Sequence, residues 1–393
     1  MRLTNRWAVL ALLCFIRLVM GLQLQAASAL SAFIVPQLGL DYTQLGMLVG
    51  LFMLPGIPLS IPSGLLGARF GDTAVIAGAL ALMTVGSIMF GASDGFAWAF
   101  AGRLLAGAGS VVLMVLLPTV TTDWFAGREI STATGLLVSS WPVGIAAALA
   151  LLPPVASALS WPVAVYATAA SSAVAMLLFL ALYRAPAAHP SPAARRLWVI
   201  TPIELRSLLG PSLLWLLTNM GFMVLMGFAP TLLVGQGFAV GEAGALVSLA
   251  SLLPVLGYPV FGHLLDRSGR IGVFIACGTL ASTLPFFALP LGGPAWLWLA
   301  LFGLTYPAAT VAIITLVTRV LSPASRSTGF GIFYAFCYLG MAAGPMLAGM
   351  VVDMSGRVDL SLWLGGLLWL MMLPTLLLTR LWLRPRQVAL AGE

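Results

Sequence analysis

Ionisable side chains are few in this chain, and where they fall decides which chemistry is open to it. Its eleven acidic residues, Asp41, Asp72, Asp94, Asp123, Glu129, Glu204, Glu242, Asp266, Asp353, Asp359 and Glu393, all sit in loops or at the ends of long apolar runs, as do both histidines, His189 and His263. The runs therefore hold no buried carboxylate or imidazole of the kind that relays protons in pumps. Nor do they hold a His-Glu-x-x-His helix, a phosphate-cradling loop or a Ser/His/Asp set, which speaks against an enzyme, against direct ATP drive and against a metal or cofactor. Cys14, Cys277 and Cys337 lie far apart in separate apolar runs, without disulfide or metal-ligand spacing, and read as inert packing residues.

Arginine is the exception. Arg17 lies eleven residues beyond Arg6 in one apolar run, about 16 Å along a helix and so near the middle of a ~30 Å apolar layer. An unpaired cation there costs ~2.5 kcal/mol or more. With no carboxylate at that depth, the simplest partner is an anion gripped by the guanidinium fork; the alternative is backbone carbonyls and water at a helix break. Gly21, Leu24 and Ser28 share the Arg17 face of a helical wheel, with Gln25 at its margin and Gln23 pointing elsewhere. Arg103, only about 8 Å of helix beyond Trp98, can snorkel outward or bind carbonyls. Other runs offer Asn219, Tyr306, Tyr334 and Tyr338 (the last two on one helix face), Ser139, Ser140 and Trp141 beside Pro142, and Tyr258 beside Pro259. Such residues either line a cavity or bond between helices.

Positioning these residues falls to the runs themselves. Of 393 residues, 61% are hydrophobic and 7% charged, with a mean hydropathy of +1.07. A soluble domain needs about a quarter of its residues charged, so that class is excluded and the chain is an integral membrane protein. All 18 basic residues are Arg and the net charge is +7, but they are scattered singly, so no nucleic-acid partner is expected. Twelve apolar stretches run over residues 7–34, 44–66, 73–93, 97–121, 131–153, 161–183, 208–233, 242–264, 271–291, 294–318, 327–352 and 360–382. Arg2, Arg6 and Ala27-Ser28-Ala29 imitate a secretory signal, but Arg17 inside its apolar region argues against cleavage.

With the N-terminus in the cytoplasm, fifteen Arg residues fall on the cytoplasmic side and only Arg357 outside. This predicts both termini in the cytoplasm of a bacterial inner membrane, with Trp98, Trp161, Trp296 and Trp298 in an outer aromatic belt. A polar stretch at 185–207, containing Pro186, His189, Arg195 and Arg196, reads as a cytoplasmic linker between residues 1–184 and 208–393, six spans each. The halves look duplicated: Gly64, Arg69 and Gly71 return 198 positions later as Gly262, Arg267 and Gly269, and Ser131-Thr132-x-x-Gly135 returns 196 later as Ser327-Thr328-x-x-Gly331.

Over its whole length the chain resembles the major facilitator superfamily, through its twelve spans, central linker and Gly-x-Leu-x-Asp-Arg-x-Gly-Arg-type loop after spans two and eight. Gly262 to Arg270 matches that loop well, while the first copy has Ala68 where Asp is usual and Asp72 where a basic residue is usual. The resemblance implies an all-α membrane fold of two pseudo-symmetric six-helix halves. It also implies that the loops latch the cytoplasmic side, making Arg69, Asp266, Arg267 and Arg270 gating candidates, with Asp123 able to supply the acid to Arg69. The alternative is solvated charge that only fixes topology.

Arg103-x-x-x-Gly107-x-Gly109 and Gly340-x-x-x-Gly344-Pro345 resemble the family's glycine-bearing fourth and eleventh helices, and Gly46-x-x-x-Gly50 in span two offers a similar close-approach surface. The family places spans two and eleven against each other across the halves, so these faces are expected to slide or separate, static packing being the alternative. An Arg in the first span is typical of organic-anion and cyanate-type porters in the superfamily, and residues 17–71 look closest to the cyanate and nitroimidazole branch.

Residues and resemblance together lead to an expectation of a secondary or facilitative transporter for a small organic anion, acting as a monomer in the bilayer by rocking two halves about a central site. Arg17 anchors the anion, with Gly21, Ser28, Asn219, Tyr306 and Tyr338 around it. The competing expectation is efflux of a neutral or amphipathic drug-like compound, with Arg17 structural. A third, a non-transporting sensor or scaffold, calls for a cytoplasmic signalling domain that the chain has no room for.

Overall fold

The computed structural model describes residues 5–125, 129–184, 200–322 and 325–387. Among these the chain is helical, with one 3-10 turn at Leu289–Leu291 and no strand. The first half contains α1 (Arg6–Ala29) with α2 (Ser31–Leu38), α3 (Tyr42–Gly50) with α4 (Gly56–Phe70), α5 (Asp72–Gly91), α6 (Phe96–Trp124), α7 (Ile130–Ala158) and α8 (Trp161–Leu182). The second contains α9 (Pro202–Gly235), α10 (Val240–Leu252) with α11 (Pro254–Ser268), α12 (Ile271–Ala288), α13 (Ala295–Val320), α14 (Arg326–Ser355) and α15 (Asp359–Leu370) with α16 (Met372–Gln387).

Eleven helical stretches among the described residues are long and apolar enough to cross a membrane. The remaining expected span, α3 with α4, is broken over residues 51–55, where Pro55 and Pro58 cannot donate to the carbonyls of Leu51 and Leu54. Its start is set by a capping box: the Gln44 N–H donates to the Asp41 carboxylate at 2.6 Å, and the Gln44 side chain answers the Asp41 N–H. A second capping box, Thr201 with Glu204, starts α9 at Pro202, six residues ahead of the expected 208. The expected linker falls largely on residues 185–199, which with the tail 388–393 lie outside the described residues.

Helix pairs repeat between the halves. Packing of α1 on α7 matches α9 on α14, α5 on α6 matches α12 on α13, and α5 on α8 matches α12 on α15. The halves meet along α3–α14 and α7–α10, themselves a symmetric pair, with α1 touching α9 between them. The duplication reaches single side chains. Arg6, starting α1, pairs with Glu129 ahead of α7 at 2.7 Å; Glu204, 198 positions after Arg6, accepts from Ser325, 196 positions after Glu129, at 2.6 Å.

Twelve crossings place both ends of the helical chain on one face, here the terminal face, opposite a distal face. One buried apolar cluster, with Leu13, Ile16, Met83, Leu116 and Phe179, belongs to the first half alone and lies toward the terminal face. The other joins both halves, bringing Leu24, Val49 and Leu149 together with Met226, Val247 and Tyr338. The halves therefore share a core toward the distal face and part toward the terminal one.

Candidate functional site

Backbone carbonyls make much of the distal closure. Pro230 in α9 has no N–H, which frees the Met226 carbonyl one turn earlier. Gln25 Nε2 and Ser28 Oγ of α1 both donate to that carbonyl at 2.6 Å. Gly46 and Gly50 let α3 lie directly on the carbonyls of Pro345 and Ala342 in α14, Gly349 does the same for Tyr42, and Gly244 of α10 for Leu149 of α7. Asp353, at the distal end of α14, accepts from the Tyr42 N–H at 2.8 Å and the Thr43 N–H at 2.7 Å, and from the Thr43 hydroxyl, so it caps α3 across the boundary between halves.

Two expected lining residues are thereby reassigned. Ser28 is wholly buried, its hydroxyl committed to the seal. Gly21 faces the backbone of Trp141 and Ile145, as Gly144 faces Leu18, so its lack of a side chain serves the α1–α7 contact. Gly340 and Gly344 are also redirected: they meet Leu216 and Met220 of α9 within their own half, and the α14 surface facing α3 is formed by Ala342, Pro345, Met346 and Gly349.

On the terminal face the gating candidates Arg69, Asp123, Asp266, Arg267 and Arg270 are all exposed, and none forms an ion pair among the described residues. The expected Arg69–Asp123 pair is absent here, because the Arg69 guanidinium lies over the Phe70 ring at 5.3 Å and Asp123 sits beside Asp72.

Between the two faces lies Arg17. It is 7% exposed, and its Nε and Nη1 are buried without a hydrogen-bond partner among the described residues. The groups its charge feels most are the hydroxyls of Tyr334 and Tyr338, on α14 of the opposite half, and the Cys14 thiol one turn before it. The Ser140 hydroxyl of α7 donates to the Leu137 carbonyl at 2.6 Å, and the adjacent Trp141 has a buried indole N–H with no partner among the described residues. The Tyr338 ring lies over Gly56, where α4 begins, while Tyr334, one turn toward the terminal face, is 40% exposed.

Tyr338 is thus brought to the Arg17 region, while Asn219 and Tyr306 have partners of their own within the second half. The Asn219 amide donates back to the Trp215 carbonyl at 2.7 Å. Tyr306 is buried among Phe222, Phe302 and Trp369, at ring-centroid distances of 5.3, 5.4 and 5.8 Å. Cys14, read as inert from sequence, and Tyr334 join the site; the signals were their helical spacings to Arg17 and Tyr338.

Arg103 is arranged in the opposite way. Its Nε donates to the Leu48 carbonyl and Nη2 to that of Leu24, each at 2.8 Å, and Nη1 to that of Gln23 at 2.5 Å. The guanidinium rests 4.4 Å from the Phe52 ring centroid, and one turn on, Gly107 makes room for the Phe52 carbonyl. The Arg-x-x-x-Gly pattern thus clamps the broken second span onto α6, answering a carbonyl that the end of α3 leaves open.

The model of the Major Facilitator Superfamily matches residues 13–302 and 212–392. The chain is 27% identical over 365 residues to the 3-(3-hydroxy-phenyl)propionate transporter of Escherichia coli (strain K12), covering 86% of each chain. To the 2-nitroimidazole transporter of the same strain it is 25% identical over 366 residues, covering 90% of each. A bacterial homolog to human lysosomal transporter Spinster shares its fold, with a TM-score of 0.79 at 16% identity over 96% of this chain and 97% of that one. Two repeated halves, joined toward one face and parted toward the other, suit alternating access to a site between them. The chain belongs to the Major Facilitator Superfamily, near its nitroimidazole branch, and is a transporter of small molecules rather than an enzyme.

Proposed function

We propose that the protein carries a small organic anion, which Arg17 anchors while the halves 1–184 and 208–393, joined by the linker 185–207, rock about it. The observation that carries this reading is the pair of buried, unpartnered nitrogens on Arg17. Neither nitrogen meets an acceptor among the described residues, and a carboxylate or a similar small anion supplies two parallel charge-assisted bonds at once. The name of the propionate-transporting relative supports an anionic cargo. The Arg distribution supports a cytoplasmic terminal face in a bacterial inner membrane. The site draws on one chain, so a monomer is the proposed working unit.

A thermal-shift screen of the purified protein against cyanate, formate, acetate, larger carboxylates and neutral nitroaromatics tests the proposal, with Arg17→Ala alongside. Anions are expected to raise the wild-type unfolding midpoint and leave the variant unmoved. Neutral compounds that stabilise both proteins equally would replace this reading with efflux of an uncharged compound. Transport in proteoliposomes is expected to follow the ionisation of the substrate; a steep pH-gradient requirement independent of the substrate would contradict it.

A further inference from the structure

We infer that the anion is an aromatic monocarboxylate, whose charge is held by the first half at Arg17 and whose ring is held by the second half on the aromatic stripe of α14. This rests on Arg17 being the anion anchor, and it adds what the rest of the cargo must be. Phe330, Tyr334 and Tyr338 recur every four residues on one face of α14, about 6 Å apart along the helix. Phe330 is half-buried and Tyr338 is 4% exposed, while Tyr334 between them stands 40% exposed.

Tyr334 is the position that points to a ligand. Its ring is braced from behind by Phe330 at 6.3 Å and Phe333 at 5.7 Å, and Phe333 is itself stacked on Trp215 at 5.3 Å. It shares a helix face with Tyr338, whose ring packs on Gly56 of the other half, which puts it on the inner side of α14, away from lipid. A large ring held rigidly at an inner surface, with 40% of its area uncovered, is a stacking platform. One helical turn of about 6 Å separates it from Tyr338, so ring and anchor lie on neighbouring levels of the site.

The charge count narrows the class further. All eleven acidic residues lie at span ends or in loops, so the site offers an ammonium group no counter-charge while Arg17 repels it. A single negative charge fits; a zwitterion does not. Such a ligand also touches the moving parts on both sides. The helix that takes the ring, α14, is the one whose distal part lies on Gly46 and Gly50 of α3. The substrate therefore bridges Arg17 to the helix that has to leave α3 when the distal face opens.

Four matched probes decide it: 3-phenylpropionate, hexanoate, phenylalanine and 3-phenylpropionamide, titrated against wild type, Tyr334→Leu, Tyr334→Phe and Arg17→Ala. In wild type, 3-phenylpropionate is expected to bind about tenfold more tightly than hexanoate, with phenylalanine and the amide at least about tenfold weaker than 3-phenylpropionate. Tyr334→Leu should remove the preference over hexanoate while hexanoate itself changes by less than about twofold; Tyr334→Phe should keep it. Equal binding of hexanoate and 3-phenylpropionate in wild type, both lost in Arg17→Ala, would overturn the ring and leave the anchor standing. If neither anion binds, the anchor falls as well, and phenylalanine binding as tightly as 3-phenylpropionate would overturn the single-charge requirement. Should Tyr334→Leu fail to fold, the wild-type series and Tyr334→Phe still decide the matter: a preference absent in wild type, or lost in Tyr334→Phe, counts against stacking.

Discussion

Among the described residues of the first half two guanidiniums are buried, Arg17 at 7% and Arg103 at 2% exposure, and their surroundings differ completely. Arg103 donates to three backbone carbonyls and rests on an aromatic ring. Arg17 has two buried nitrogens with no partner among the described residues and the hydroxyls of the opposite half as its electrostatic neighbours. Burial alone does not distinguish a structural cation from a binding one; the inventory of acceptors does. The contrast is what the anchor proposal for Arg17 rests on: one deep arginine is fully satisfied within the fold and the other is left open.

The comparison breaks first at Arg103. Replacing it with Leu removes three charge-assisted bonds, two of them at 2.8 Å, and leaves the Leu48 carbonyl at the end of α3 without its donor. The expected loss is about 3–5 kcal/mol, read as a large fall in the thermal unfolding midpoint or a failure to accumulate folded protein. Unchanged unfolding would mean that the clamp on the second span does not matter. Arg17→Met should behave oppositely. Deleting an unpaired buried charge is expected to leave stability unchanged or raise it by up to about 2 kcal/mol, with loss of the anion response. A destabilisation as large as that of Arg103→Leu would make Arg17 structural and end the anchor proposal.

How much of this is legible in the sequence follows from what a helix pattern encodes. The apolar runs, their punctuation and the 198-residue offset convey the spans and the duplication, because lipid demands long apolar helices and a repeated half repeats its loops. Arg17 is legible because a charge inside such a run is costly whatever surrounds it. Ser28 and Gly21 mislead for a geometric reason. Ser28 shares the Arg17 face but stands eleven residues higher, about 16 Å along the helix, at the level of the distal seal. Gly21 is four residues on, about 40° around the helix from Arg17, and that rotation turns it onto α7. A wheel supplies direction and omits depth and neighbour. Gly340 and Gly344 repeat the lesson: a glycine stripe announces close packing without saying against which helix.

The two faces form a second comparison. The distal one is latched by Asp353 on the first N–H groups of α3, while the loop charges of the terminal one make no such bond between the halves among the described residues. Asp353→Ala is expected to cost the distal-closed state about 1–2 kcal/mol, a shift of roughly 5- to 30-fold toward distal opening. Distances between spin labels at the distal ends of α3 and α14 report it. If the distribution stays at the wild-type position, the glycine contacts of Gly46, Gly50 and Gly349 hold the face closed unaided.

The smallest expected effect separates the two halves of the duplication. Arg6–Glu129 and Glu204–Ser325 occupy equivalent positions, yet the first joins two charges and the second a carboxylate to a hydroxyl. The ion pair is open to solvent, with side chains 31% and 50% exposed. Glu129→Gln should therefore cost at most about 1 kcal/mol at low ionic strength, and the loss should fade toward 1 M salt, where the Debye length drops to about 3 Å. Glu204 instead accepts from the Ser322 N–H at 2.9 Å and the Ser325 hydroxyl at 2.6 Å, short-range bonds that salt screens little. Glu204→Gln is expected to lower the unfolding midpoint by the same amount at both ionic strengths. Equal salt dependence in the two variants would show that net charge on the terminal face, and not the local bonds, sets the strength of both contacts.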